Sequence, residues 1–113
     1  MLSFRPFIQL QILDFQIDVD RIDFKGLTRG QPTSLEEVSV SSSDSNSVLS
    51  VQLNWGDWTG WQPGFVEQTT GEVEASHTFL SGGSYTVKLR VEDARGLEYG
   101  SKSAIIGGIF VQY

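Results

Sequence analysis

An alternation of apolar and polar side chains in the middle of the chain constrains its fold most strongly. Every second residue of this stretch is apolar: Leu49, Val51, Leu53 and Trp55. The residues between them are polar: Ser50, Gln52 and Asn54. Because successive side chains of a strand point to opposite faces, the pattern predicts a strand with one buried and one solvent-facing side. Gly56-Asp57 then predicts its end, since both residues favour turns.

A second stretch repeats the pattern. Its apolar or aromatic positions are Tyr85, Val87, Leu89 and Val91. The intervening side chains are polar or charged: Thr86, Lys88, Arg90 and Glu92. Glycines precede this stretch at 82–83, and the turn-forming residues 93–96 follow it. Two such strands predict an antiparallel sheet with one face on a core.

The remaining segments extend this pattern along the chain. Strands are predicted at 14–24 with a change of parity at 20–21, and also at 35–41, 71–79 and 101–113. The Gly107-Gly108 pair predicts a bulge in the last strand. The fold class is therefore all-β, an immunoglobulin-like β-sandwich of about seven strands in two antiparallel sheets.

The N-terminal residues precede this pattern. Ile8, Leu10 and Ile12 alternate with glutamines within residues 4–13. We expect residues 1–14 to be an N-terminal extension and residues 15–113 to be the domain. The extension is interpreted as an additional edge strand or a linker, or else as a strand for self-association, because an apolar, uncharged edge invites pairing.

Composition excludes several classes of function. The net charge of −6 argues against binding nucleic acid or anionic membranes. No apolar run approaches the ~20 residues that span a bilayer, so we expect no membrane insertion. The absence of cysteine excludes disulfides and thiolate chemistry. The first residues lack the features of a signal peptide.

Three motifs resemble those of polycystic kidney disease-type (PKD) domains, a family of immunoglobulin-like β-sandwiches. Trp55-Gly56-Asp57 resembles the family's W-x-F-G-D-G, with Trp58 where the second glycine is expected, and His77-Thr78-Phe79 resembles H-T-Y. Residues 83–96 resemble G-x-Y-x-V-x-L-x-V-x-D-x-x-G. The motif positions are Trp55, Gly56, Asp57, His77, Phe79, Gly83, Tyr85, Asp93 and Gly96. The resemblance implies a non-catalytic module at the cell surface or outside the cell, within a larger chain or assembly.

The residues suited to catalysis are few. Asp57 is expected to fix a turn, and His77, the single histidine, is expected to be structural. Nothing in the sequence forces a second acid or base to converge on either residue. We therefore expect no enzyme activity.

Calcium is the one metal that the sequence suggests. Asp44 and Asn46 offer oxygen ligands in a serine-rich loop, and the resemblance implies calcium there in some family members. Calcium takes six to eight oxygens, and the alternative is an Asx-type turn. No cofactor is otherwise expected.

Three aromatic residues lie outside the strand pattern: Trp58, Trp61 and Phe65. Tryptophan offers rigid contact area at little entropic cost, so these residues are candidate anchors for a protein or glycan partner. The alternative is that Trp58 and Trp61 fold back to cap the end of the sandwich.

Three hypotheses of function follow. The first is a non-catalytic interaction or spacer module that makes protein–protein or protein–glycan contacts. The second is a structural subunit of a surface layer, a phage or viral particle, or a secretion apparatus, pairing through its N-terminal strand. The third is a carbohydrate-binding module that uses Trp58 and Trp61.

Overall fold

The computed structural model describes residues 13–19, 28–35, 37–96 and 99–112. The described residues form ten strands: β1 (Phe15–Val19), β2 (Pro32–Ser34), β3 (Val38–Ser42), β4 (Leu49–Asn54), β5 (Trp61–Pro63), β6 (Phe65–Val66), β7 (Val73–Glu74), β8 (Ser76–Thr78), β9 (Gly83–Asp93) and β10 (Ser101–Val111). Within these ranges, no helix has the length and apolar character needed to cross a membrane. The all-β prediction is confirmed.

The first layer is a four-stranded antiparallel sheet in the order β10-β9-β4-β5. The two strands identified from alternation lie side by side at its centre, with Val51 opposite Val91 and Leu53 opposite Leu89. β5 forms the edge of this sheet. It ends at Pro63, which lacks an N–H group to offer a further strand.

The second layer consists of three short pairs: β1-β3, β2-β8 and β6-β7. Backbone hydrogen bonds connect them, because the Val40 N–H donates to the Gly71 carbonyl at 2.8 Å and the Leu35 N–H donates to the Ala75 carbonyl at 2.9 Å. The strand predicted at 71–79 is interrupted at Ala75, so it appears as β7 and β8. Interruptions of this kind explain why the strands outnumber the seven expected.

The core lies between the two layers and confirms the predicted faces. From the first layer it takes Val51, Leu53, Val87, Leu89 and Val91, each at most 2% exposed. The second layer contributes Phe15, Val38, Val40 and Val73. Trp55 closes the apolar side of β4 at 1% exposure, as its parity predicts. Burial of large apolar side chains supplies most of the folding free energy, at about 25 cal/mol per Å².

Two further predictions have different outcomes. The bulge expected in the last strand is confirmed, because the β9–β10 register shifts between Ile105 and Gly107. The strand expected at 14–24 corresponds to β1 over its first half, and its parity change at 20–21 lies outside the described residues. The N-terminal strand at 4–13 also lies outside them, except for Leu13, which is buried.

Candidate functional site

The motif side chains meet in one aromatic cluster below the end of β4. The Trp55 and His77 rings are stacked, with centroids 5.0 Å apart and planes 5° from parallel. Phe79 meets both rings edge-on, at 6.2 Å from Trp55 and 4.8 Å from His77. Tyr85 stacks on Phe79 at 4.5 Å. Trp55 is thus packed in one unit with side chains that lie 22 or more positions later in the sequence.

Asp57 is joined to this cluster through His77. The His77 Nε2–H group donates to Asp57 Oδ2 at 2.6 Å, and the Thr59 hydroxyl donates to Asp57 Oδ1 at 2.5 Å. The two side chains are only 8% and 13% exposed. Burial by itself would raise the pKa of Asp57, but the hydrogen bonds from His77 and Thr59 outweigh it and hold that pKa below its usual value. The two residues lie 20 positions apart, and no pattern in the sequence predicts their contact.

Gly56 fixes the start of the loop that carries Asp57. Its φ is +81°, and a Cβ atom there would lie 2.4 Å from the Thr86 carbonyl oxygen. Its N–H group is bound by the Asn54 side chain at 2.9 Å. Only glycine fits this position. The neighbouring Tyr85 hydroxyl donates to the Ser81 carbonyl at 2.6 Å, a bond that resembles the tyrosine corner of immunoglobulin-like folds.

Trp58 occupies the tip of this loop, residues 56–60, which we call the aromatic loop. Its side chain is 100% exposed, and its φ is +69°. A left-handed backbone costs a non-glycine residue roughly 1–2 kcal/mol. Trp58 therefore adopts the conformation suited to the glycine that the PKD motif has here. The hypothesis that Trp58 caps the sandwich is wrong, because its side chain lies in solvent.

Trp61 and Phe65 belong to other elements. Trp61 pairs with Asn54 on the outer face of the four-stranded sheet, and its ring lies 4.5 Å from the Arg90 guanidinium carbon. Arg90 also donates a hydrogen bond to the Gln52 side chain. Phe65 is 59% exposed and pairs with Glu74 in the second layer. The three candidate aromatics thus share no strand face. Arg90 is a contact residue that the sequence analysis did not single out.

The candidate calcium ligands lie at the opposite end of the sheet, beside the turn after β9. Asp44 Oδ1 accepts the Asn46 N–H at 2.9 Å, which makes an Asx turn, and Asp44 Oδ2 accepts from the Arg95 guanidinium at 3.1 Å. The Asn46 and Arg95 bonds hold the pKa of Asp44 below its usual value. Asp93, which is fully buried, binds the Arg95 guanidinium at 2.7 and 2.9 Å and the Arg95 N–H at 2.8 Å.

This charged network satisfies its own members. The hydrogen bonds from Arg95 hold the pKa of Asp93 far below its usual value, despite an opposing effect of burial. Among the described residues, no three histidine, aspartate or glutamate side chains are grouped to hold a metal ion. Calcium binding at Asp44 and Asn46 stays a prediction.

The two layers, the tyrosine corner and the buried Trp55 together define an immunoglobulin-like β-sandwich. The family model for the PKD domain matches residues 22–106, which is most of the chain. The chain therefore belongs to the PKD domain family, and its fold is the sandwich that this family has. A comparison with curated proteins gives no match. Membership of the family makes the chain an interaction module of the extracellular type.

Proposed function

We propose that this PKD domain is a non-catalytic module that binds a protein partner through the aromatic loop, with Trp58 as the central contact. The single observation that carries the proposal is the state of Trp58, which combines full exposure with a left-handed backbone. Both features are unfavourable for the stability of the free domain, because the exposed indole gains no burial and its backbone conformation costs free energy. A binding role explains why both are present.

The loop is built to hold Trp58 in place. Asp57 and Thr59, the residues on either side of Trp58, are hydrogen-bonded to each other, and Asp57 is also bonded to His77 of β8. A contact that is already ordered loses little entropy on binding. The chemistry of the tip suits a protein pocket, because isolated tryptophans that enter apolar pockets are frequent hot spots of protein interfaces.

Leu80 extends the apolar surface at the same end. It is 82% exposed and lies in the connection between β8 and β9. This connection leads into the first residues of β9, where the Thr86 backbone lies beside Gly56 of the aromatic loop. An extracellular or cell-surface setting within a larger chain or assembly, which the family typically has, would make this end available to a partner.

Selection of binding peptides from a random displayed library tests the proposal without a known partner. Peptides selected on the wild-type domain should lose at least about tenfold in affinity for Trp58→Gly, since hot-spot tryptophans contribute about 2 kcal/mol or more. The matched control is Val48→Ala, which alters an exposed apolar residue at the opposite end of the sheet. Selected peptides that bind Trp58→Gly as tightly as the wild type would overturn the proposal.

Carbohydrate binding is a second candidate, and the environment of Trp61 favours it. One side of the indole is fixed over Arg90, which leaves a ring of defined orientation on the sheet surface next to the Asn54 and Gln52 side chains. A fixed aromatic ring flanked by amide groups has the chemistry that stacks on and hydrogen-bonds to a sugar. Affinity electrophoresis in neutral polysaccharides should then show retardation that Trp61→Ala abolishes and Trp58→Gly preserves. Equal mobility of wild type and Trp61→Ala in every gel would exclude this role.

A further inference from the structure

The outer face of the four-stranded sheet differs in charge from the rest of the domain. Lys88 and Arg90 lie side by side along β9, and the register sets Ile105 of β10 opposite Lys88. Ile105 is 67% exposed. On the same face, the Trp61 ring extends from the edge strand β5 and lies over Arg90. We call this surface the basic face, defined by Trp61, Lys88, Arg90 and Ile105. Glu92 lies on the same side of β9, two positions beyond Arg90, so two positive charges and one negative charge line this face of a chain whose net charge is −6.

The outer face of the second layer has the opposite character. The register brings Asp18 opposite Ser39, and Ser39 in turn forms a bridge with Glu72. Glu74 continues this row and pairs with the exposed Phe65. None of the six strands in this layer contains a lysine or an arginine. We call this surface the acidic face, defined by Asp18, Phe65, Glu72 and Glu74.

The two faces complement each other in charge and in apolar character. The basic face has two positive charges and one negative charge, whereas the acidic face has negative charges only. Each face also has at least one exposed large apolar side chain, and the two lie on opposite sides of the sandwich. We propose that a second copy of this chain docks its acidic face on the basic face of the first. Such a contact is heterologous, because different surfaces meet, and it leaves one unused face on each outer copy, so it propagates into an open chain of domains.

The basic face is smaller than the interfaces of stable complexes. The strands of the first layer contain 11, 11, 6 and 3 residues. At ~3.3 Å per residue and ~4.8 Å between strands they cover about 500 Å². Stable complexes bury about 800 Å² on each partner, so this contact belongs to the weak, transient class of protein interfaces. The net charge opposes it little at physiological ionic strength, where the screening length is about 8 Å.

Sedimentation velocity on the whole chain tests the proposal by mixing two variants. Lys88→Glu removes the basic face and leaves the acidic face, whereas Glu74→Lys does the reverse. Each variant alone should associate at least about tenfold more weakly than the wild type, since like charges then meet across the contact. An equimolar mixture should associate again, because the unaltered acidic face of one variant meets the unaltered basic face of the other. Wild type at about 1 mM should form species larger than a dimer.

A matched control separates this contact from a general effect of charge. Lys102→Glu makes the same change at an exposed lysine of β10 whose strand position pairs with Val91, on the other parity from Lys88. It should associate as the wild type does. Unchanged thermal unfolding of all three variants establishes that they fold. A wild-type chain that remains monomeric at 1 mM would overturn the proposal, and so would a mixture that behaves as the two variants do separately.

Discussion

Two aspartates at opposite ends of the four-stranded sheet make similar hydrogen bonds but stabilise different kinds of structure. β4 and β9 are antiparallel, with Leu49 opposite Asp93 and Asn54 opposite Lys88, so Asp57 and Asp93 lie at opposite ends. Each carboxylate accepts hydrogen bonds from a residue two positions later, Thr59 and Arg95 respectively. Each also has a nitrogen-containing side chain as partner.

The two ends differ in what the aspartate holds. At one end, Asp93 is fully buried, and its partner Arg95 covers Tyr99 and reaches Asp44, so the charges of that network are satisfied internally. At the other end, Asp57 is bonded to His77, and the loop that it fixes projects Trp58 into solvent. The first end is closed, and the second displays an apolar side chain. The difference indicates that the aromatic loop is the end at which binding is expected.

The largest loss of stability should come from removing Asp93. Asp93→Ala should lower the free energy of unfolding by about 2–4 kcal/mol, because the Arg95 N–H and the Ser47 side chain lose a buried acceptor. Urea denaturation followed by tryptophan fluorescence measures this loss. Asp44→Ala removes the more exposed partner of the same guanidinium and should cost much less than Asp93→Ala, because solvent screens an exposed ion pair. Equal losses for the two variants would show that Asp93 does not organise this end.

Low pH should reduce the stability that both Asp57 and Asp93 contribute. Asp57 and Asp93 have a lower pKa in the folded chain than the ordinary value of 3.8, so the unfolded chain binds protons first as the pH falls. Their contribution to stability is therefore complete above pH 3.8 and declines as the pH falls through the lower folded pKa values. Urea denaturation between pH 2 and pH 7 should show this decline, and Asp93→Asn should make it shallower. A stability that stays constant down to pH 2 would contradict the assignment.

Loss of the Asp57–His77 pair should lower stability less than loss of Asp93 does, and it should also increase the mobility of the Trp58 backbone. Asp57→Ala should cost about 1–2 kcal/mol, because the hydrogen bonds from His77 and Thr59 are lost in a partly solvated site. It should also lower the backbone order parameter of Trp58 from about 0.85 to below 0.6 in ¹⁵N relaxation measurements. His77→Gln, which keeps a donor, should retain more of this order. An unchanged order parameter in Asp57→Ala would show that the pair does not hold the loop.

The sequence predicts the sandwich well because its strands alternate cleanly. Leu53 and Leu89 could each be assigned to the core by parity alone, and the structure buries both. The bulge near Gly107 was also predictable, because two glycines weaken strand pairing at that point. Local patterns suffice wherever a single periodicity determines which side chains face inward.

The site was less predictable because it depends on contacts between distant residues. The bond between Asp57 and His77 spans 20 positions, and the one between Asp44 and Arg95 spans 51. No local period reports either contact. The exposure of Trp58 was equally undetermined, since composition allows a tryptophan in the core or in solvent. One signal was present, however, because Trp58 replaces a glycine of the family motif, and a motif glycine indicates a backbone position with positive φ.

The display of Trp58 on a strained backbone is tested most directly by comparing the stability of Trp58→Gly and Trp58→Ala in urea denaturation. If Trp58 is exposed and its backbone is strained, neither change removes packing, and only glycine relieves the φ of +69°. We expect Trp58→Ala to stay within about 0.5 kcal/mol of the wild type and Trp58→Gly to be more stable than Trp58→Ala by about 1 kcal/mol. A loss of several kcal/mol in both variants would contradict the exposure of Trp58, because it would show that the indole is packed within the domain rather than displayed for binding.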